Sequence, residues 1–218
     1  MEKNNLNVII LAAGEGKRLR PLTNEKPKGL VELFGKSILE RQIEIFMSVG
    51  ITDISIVTGF NANLIKFPKI NYFHNHNFKT TNMVETLFYA KEKLNESTII
   101  SYGDIIFEKK VIEKLIQSKH EISVVVDLAW KEYWETRFVN PLEDAESLLL
   151  QDGYITNIGQ KPKNFEQIQG QYIGLMKFQN DGILHLKKIY EHAKMMADTG
   201  SNPLNSKIPF EKSYMTDL

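Results

Sequence analysis

Leu6 to Ala13 reads LNVIILAA, and Gly14 and Gly16 then break the run. The run is nearly continuous rather than alternating, which marks a strand buried on both faces, as in a parallel sheet. A strand of that kind needs helices on both sides, and the rest of the first half supplies them. Ser37 can cap a helix to about Val49, with Ile38, Leu39, Ile43, Phe46 and Met47 on its apolar side and Gly50 as its stop. Ile54 to Thr58 reads as a second strand, Asn61 to Phe67 as a short helix, and Ile70 to His74 as a third strand. Thr81 or Asn82 can cap a helix through about Leu94. Ser97 to Tyr102 is a fourth strand, Lys109 to Lys119 a helix, and Glu121 to Asp127 a fifth strand. Strands alternating with helices predict right-handed crossovers, hence an α/β fold with a Rossmann-like, mostly parallel mixed sheet flanked by helices.

After about Ala129 the rhythm changes. Short β patterns at 148–150, 153–155, 158–159 and 172–178 precede a helix from Asn180 to Ala197. The 218 residues therefore read as a single domain. It has a nucleotide-binding half over about 1–128 and a smaller β-rich, acceptor-binding lobe over about 129–218. Residues 214–218 look like the start of a further helix, and we expect the natural chain to continue beyond Leu218.

Charge and composition exclude several classes. Lys plus Arg and Asp plus Glu both number 27, so no chain-wide basic field for nucleic acid exists. There is no cysteine, which removes disulfides, thiolate catalysis and cysteine-based zinc sites. No apolar stretch approaches the roughly 20 residues of a membrane helix. Met1 to Asn5 carries no leader pattern, so the expected location is the cytoplasm. The five histidines form no ligand set, and no Ser-His-Asp arrangement is visible.

Within this neutral chain, positive charge gathers around one glycine turn. Leu11, Ala12, Ala13, Gly14, Glu15, Gly16, Lys17, Arg18, Leu19, Arg20, Pro21, Leu22 and Thr23 run in sequence, followed by Lys26-Pro27-Lys28-Gly29-Leu30. Two glycines let a backbone approach a triphosphate closely, and Lys17, Arg18, Arg20 and Lys28 surround the turn with cations. A Walker A loop does not fit, because Gly16-Lys17 is followed by arginine. The dinucleotide fingerprint does not fit either, because Leu19 stands where its third glycine belongs. A bare Gly-x-Gly is more often a plain surface turn. A second signal is Gly103-Asp104 at the end of an apolar strand, where the carboxylate can bind Mg²⁺ or simply cap the next helix.

The complete stretch LAAGEGKRLRPLT…EKPKGLVEL resembles the signature of the sugar-nucleotidyltransferase superfamily. The resemblance implies an acceptor phosphate attacking the α-phosphorus of an NTP, with release of pyrophosphate and Mg²⁺ as cofactor. It implies that Leu11 to Gly16 wraps the nucleotide, assisted by Lys17 and Gly103. Arg18 would grip the departing phosphates, Lys28 would stabilise charge at the α-phosphate, and Asp104 would carry the metal. Such enzymes supply a second metal carboxylate near the C-terminus, which we expect to lie beyond Leu218.

TNMVETL (81–87), NPLEDAESL (140–148) and GQYIGLMKF (170–178) resemble the small cytidylyltransferases for phosphocholine, 2-aminoethylphosphonate and phosphoglutamine, the last serving capsule phosphoramidate synthesis. That branch implies CTP and a small phosphorylated acceptor carrying an amine, and is compatible with a homodimer. Thr81 and Asn82 then lie where the base is read, and Asn82 can equally cap the following helix. Glu143, Asp144, Glu146 and Asp217 are candidates to meet the acceptor's positive group. Trp130, Tyr133, Trp134 and Tyr172 can wall its pocket, or pack as ordinary core. Arg137 and Lys161 are candidate acceptor-phosphate ligands, or plain surface charges. Within the class, a sugar-1-phosphate enzyme using UTP or dTTP is the near alternative. From a different class, a nucleotide-binding regulatory module would keep the loop without turnover.

Overall fold

The computed structural model describes residues 6–218. The leader expectation at Met1 to Asn5 lies outside the described residues. In chain order, β1 spans Leu6–Ala12, a small hairpin pairs β2 (Glu32–Leu33) with β3 (Lys36–Ser37), and α1 spans Ile38–Ser48. There follow β4 (Ile54–Thr58), β5 (Asn71–His74), α2 (Met83–Phe88), β6 (Ser97–Tyr102), α3 (Lys109–Gln117) and β7 (Ile122–Asp127). The remainder holds α4 (Trp130–Arg137), β8 (Leu148–Gln151), β9 (Tyr154–Ile158), β10 (Gln171–Gln179) and α5 (Asp181–Ala197).

Six strands form one sheet in the order β5-β4-β1-β6-β10-β7. β1 runs parallel to β4 and β6, β5 runs parallel to β4, and only β10 runs antiparallel to its two neighbours. β1 is the centre, and its side chains alternate between two cores, as a strand's period of two requires. Ile9 and Leu11 pack with Val84 and Leu87 of α2 and with Ile183 and Leu186 of α5. Val8 and Ile10 pack on the opposite face with Leu39, Ile43 and Phe46 of α1 and Ile112 and Leu115 of α3. This is the mixed, mostly parallel sheet flanked by helices that the sequence predicts.

Several local readings hold closely. Ser37 caps α1, its hydroxyl accepting from the Glu40 amide at 3.2 Å. Three others change. α2 ends at Phe88 and is followed by a 3-10 turn at Lys91–Lys93, instead of running on to Leu94. The cause is tertiary: the Asn7 amide donates to the Lys93 carbonyl at 2.6 Å, and the Lys93 ammonium meets Asp53 at 2.9 Å. These bonds pull the chain out of helical register. α4, Trp130–Arg137, has no counterpart among the elements expected from sequence. Residues 214–217 close a turn rather than open a helix, with the Asp217 amide donating to the Tyr214 carbonyl at 3.1 Å.

β8 and β9 form a separate two-stranded sheet, beside a small core of Trp130, Ala145 and Ile168. β10, from the same stretch of chain, enters the main sheet between β6 and β7. Its register with β7 shifts between Tyr172 and Met176, next to the end of β6. Gly174 sits there with φ +87°, and a Cβ would stand 2.5 Å from the Tyr102 ring. Among the described residues, no helix is long and apolar enough to cross a membrane.

Candidate active site

Open α/β sheets bind ligands beyond the carboxyl ends of strands, where the chain departs to opposite sides. Here that point lies between β1 and β6. Leu11 pairs with Tyr102, and the Gly103 amide donates to the Leu11 carbonyl at 2.8 Å. The loop after β1 and the Gly103-Asp104 turn therefore emerge side by side. Gly103 permits the approach, since a Cβ would come within 2.8 Å of the Ala12 Cβ.

The first loop is fixed at both ends. The Ala13 carbonyl accepts from the Phe60 amide at 3.0 Å, and the buried Thr23 hydroxyl donates to the Gly16 carbonyl at 2.7 Å. Gly16 has φ +64°, and a Cβ there would meet the Lys28 Cβ at 2.9 Å. That contact seats the stem of Lys28 against the loop. Lys28 opens a 3-10 turn, Lys28–Leu30, after Pro27. Gly29 presses this turn into place, because its Cβ position is filled by Leu39 of α1 and the Gly103 carbonyl.

The Lys28 ammonium pairs with Asp104 across 76 positions of sequence, both side chains about 30% exposed. Glu15 and Lys17 pair at 2.8 Å, and that bond holds the Glu15 carboxyl below its usual range. Arg18, on the rim, comes within 3.8 Å of Asp144 in the second half. Together these surround a cavity of about 350 Å³. Leu11, Ala12, Gly14, Glu15 and Gly16 form one wall; Lys17, Arg18 and Lys28 supply cations; Gly103, Asp104 and Met83 close it. Nucleotide sites commonly have this size and mix. Its open Gly14 edge, where a Cβ would meet nothing within 4 Å, leaves backbone accessible to a bound anion.

Other expected residues are placed differently. Asn82 caps α2: its Oδ1 accepts from the Met83 amide at 3.0 Å, and its Nδ2 donates to the Lys212 carbonyl at 3.1 Å. Thr81 is bound to Asn75 and to the Asn77 carbonyl. Trp130 is buried in the small core with Ala145 and Ile168. Arg137 lies over Tyr133, Trp134 and Phe138, 5.0–5.6 Å from their centres. The Lys161 ammonium donates to the Leu142 and Glu143 carbonyls at 2.6 and 2.5 Å. None of Thr81, Asn82, Trp130, Arg137 and Lys161 lines the cavity.

Glu146 and Tyr172 do gather beside Tyr102, and Asp217 is near enough to act on Glu146; the Asp217 carboxylate itself accepts from the Asn205 side chain at 2.9 Å and from the Tyr214 amide at 2.7 Å. The two tyrosine rings meet edge to face at 5.7 Å. Burial pushes both phenols up, and Glu146 adds to the shift at each. Burial also raises the Glu146 carboxyl, as do the charges of Asp217 and Asp144, against a hydrogen bond from Thr216.

Sequence reasoning passed over Gln42. It is fully buried on α1; its Nε2 donates to the Tyr102 and Ile105 carbonyls at 2.9 and 2.8 Å, and its Oε1 accepts from Ser101 at 2.9 Å. It braces the loop that carries Asp104. A polar residue on the apolar stripe of Leu39, Ile43 and Phe46 was the available signal.

Asn82 offers a stability test. Replacing it with alanine removes a helix cap and a tie to the C-terminal segment, which should cost about 2 kcal/mol in all. Urea unfolding monitored by circular dichroism reads this directly, and a change below about 0.5 kcal/mol would contradict the capping account.

This strand-end loop, cation cluster and carboxylate define a nucleotidyltransferase, and residues 8–153 match the MobA-like NTP transferase domain. The chain belongs to that family. Among its relatives, the CTP:phosphoglutamine cytidylyltransferase of Campylobacter jejuni is 39% identical, over 98% of this chain and 86% of its own. The fold resembles the CTP:phosphocholine cytidylyltransferase of Streptococcus pneumoniae, with TM-score 0.61, 22% identity and coverage of 86% and 78%. It also resembles the putative glucose-1-phosphate thymidylyltransferase of Bacillus anthracis, with TM-score 0.67, 21% identity and coverage of 85% and 75%.

Proposed function

We propose that this chain transfers CMP from CTP to a small phosphorylated amine or amino acid, with phosphoglutamine as the first candidate, and releases pyrophosphate. The supporting observation is the convergence of Lys28 and Asp104 beside the Gly14–Gly16 loop, in a chain 39% identical to a phosphoglutamine enzyme over nearly its whole length. An acceptor phosphate oxygen forms a bond to the α-phosphorus, and the bond from that phosphorus to the β-phosphate oxygen breaks. The chain's own contribution is position and charge. Backbone amides around Gly14 and Gly16 hold the triphosphate, Arg18 at the rim meets the leaving phosphates, and Lys28 offsets charge building at the centre.

Asp104 suits a magnesium ion. It is a half-exposed hard oxygen donor on the cavity wall, and Mg²⁺ is ordinarily held by one or two carboxylates plus substrate phosphates. Among the described residues, no group of three acidic or histidine side chains forms a dedicated cage. When bound, the ion would neutralise phosphate charge. Glu146 places negative charge beside Tyr102, and Asp217 adds to it near Glu146, which suits an acceptor with an ammonium group. A role in surface polysaccharide modification follows from phosphoglutamine as acceptor.

The test is pyrophosphate release with Mg²⁺ and each of CTP, UTP, dTTP and ATP, against phosphoglutamine, phosphocholine, 2-aminoethylphosphonate and glucose 1-phosphate. CTP with phosphoglutamine should give the highest kcat/KM. Fastest turnover of glucose 1-phosphate with UTP or dTTP would overturn the proposal.

A further inference from the structure

Gln171 opens β10 and is 4% exposed, yet its side-chain amide serves no strand partner. Instead it grips another residue's backbone from both sides. Its Oε1 accepts from the Glu146 amide at 3.0 Å, and its Nε2 donates to the Glu146 carbonyl at 2.5 Å and to the Gly170 carbonyl at 2.9 Å. The side chain thus acts as a one-residue strand laid against Glu146.

The neighbours of Glu146 are pinned as well. Ala145 and Ser147 are buried. The Ser147 amide donates to the Gln160 carbonyl at 2.7 Å, and its carbonyl accepts from Gly159 at 3.1 Å. Between these fixed points, the half-buried Glu146 carboxylate sits with Thr216, Asp217 and Asp144 around it. Among the described residues, no Lys, Arg or His lies within 4 Å of it, whereas Asp144 has Arg18. Next along β10, the Tyr172 hydroxyl is buried without a hydrogen-bond partner, and it too is close enough to feel the Glu146 charge. A half-buried carboxylate with two acids beside it is costly unless a cation joins it. Its rigid mounting therefore calls for an explanation outside folding.

We propose that Gln171 is a positioning residue for acceptor choice: by clamping both backbone polar groups of Glu146, it holds that carboxylate where it meets the ammonium group of the acceptor. The proposal rests on the reading that the acceptor carries an amine. Gln171 touches neither substrate, so its effect passes through Glu146 alone. Among the described residues the nucleotide loop, anchored by Phe60 and Thr23, makes no bond to Gln171 or Glu146; its nearest tie is the exposed Arg18–Asp144 pair at 3.8 Å.

The experiment compares phosphoglutamine and phosphoethanolamine, each with the counterpart in which hydrogen replaces the amino group, on the full chain with CTP and Mg²⁺. Glu146→Gln should erase the preference for the amine. Gln171→Leu should raise the KM of the amine-bearing acceptor about tenfold while leaving the KM for CTP within about twofold, the pattern of a lost acceptor contact. The double variant should be no worse than Glu146→Gln alone, because the two act in series. Gln171→Glu keeps the side chain's length but loses the donor; it should show the same pattern if the leucine variant fails to fold. An unchanged amine preference in Glu146→Gln overturns the amine reading itself. Lost preference in Glu146→Gln with wild-type preference in both Gln171 variants overturns the clamp alone, as does a parallel rise in the KM for CTP.

Discussion

Lys28→Met should lower kcat by about 10²–10³, the usual cost of losing one preorganised group at a site of developing charge. The melting temperature should move by no more than about 2–4 °C. The two effects separate because Lys28 does two different things. Its stem packs on Gly16, and methionine keeps that contact. Its ammonium pairs with Asp104, but both side chains are about 30% exposed. Ion pairs open to water contribute only about 0–1 kcal/mol, so water can solvate the abandoned carboxylate at little cost. When a triphosphate fills the cavity, no water can replace the lost cation at the α-phosphorus. Steady-state pyrophosphate release and a thermal melt on the same preparation give both numbers. Activity within threefold of wild type would remove Lys28 from the chemistry and leave it a loop-packing residue.

The sequence carried this convergence unevenly. Where a signal is local, the reading is close: Ile54–Thr58 is the second strand at both bounds, and Ser37 caps α1 through its own side chain. Charge against a neutral background singled out Lys17 and Lys28, and the family resemblance singled out Leu11 to Gly16; all of these except Ala13 line one cavity with Asp104. The meeting of Lys28 with Asp104 was not local, and only the family resemblance linked them. Long-range pairing stayed hidden for a physical reason. β10 lies beside β6 through pairs such as Lys177 with Ile99, and no local pattern encodes a partner 78 positions away. α2 was drawn too long because Lys93 answers to Asn7 and Asp53, which helical periodicity does not see. At Trp130 and Trp134 the sequence left pocket wall and ordinary core both open, because a buried ring and a ligand-facing ring read the same in sequence. In the structure the Trp130 ring is buried, with the Phe165 ring 6.4 Å away.

Gln42→Leu should damage stability and catalysis together, which sets it apart from Lys28. Gln42 is 1% exposed, and its amide supplies a donor to two carbonyls on either side of Gly103-Asp104. Leucine fits the space among Leu39, Ile43 and Phe46, so no large cavity forms. What is lost is polar pairing. The Ile105 carbonyl and the Ser101 hydroxyl lose their Gln42 partners, while Tyr102 keeps a weaker contact with Ser101 at 3.3 Å. A buried group left unpaired costs about 1–3 kcal/mol; the Ile105 carbonyl bears this in full and the Ser101 hydroxyl, which keeps its weaker bond to Tyr102, only in part, so the total should be roughly 2–4 kcal/mol. That corresponds to a fall of about 4–16 °C in melting temperature for a chain of this size. Released from α1, the turn carrying Asp104 can drift from the first loop, and displacement of about 1 Å at a reacting centre costs up to about 100-fold in rate. Gln42→Glu keeps the acceptor for Ser101 and removes the donor, so it should reproduce the rate loss if bracing is the cause. A lowered melting point with kcat unchanged in both variants would mean that Asp104 is held by β6 and Gly29 without help from α1.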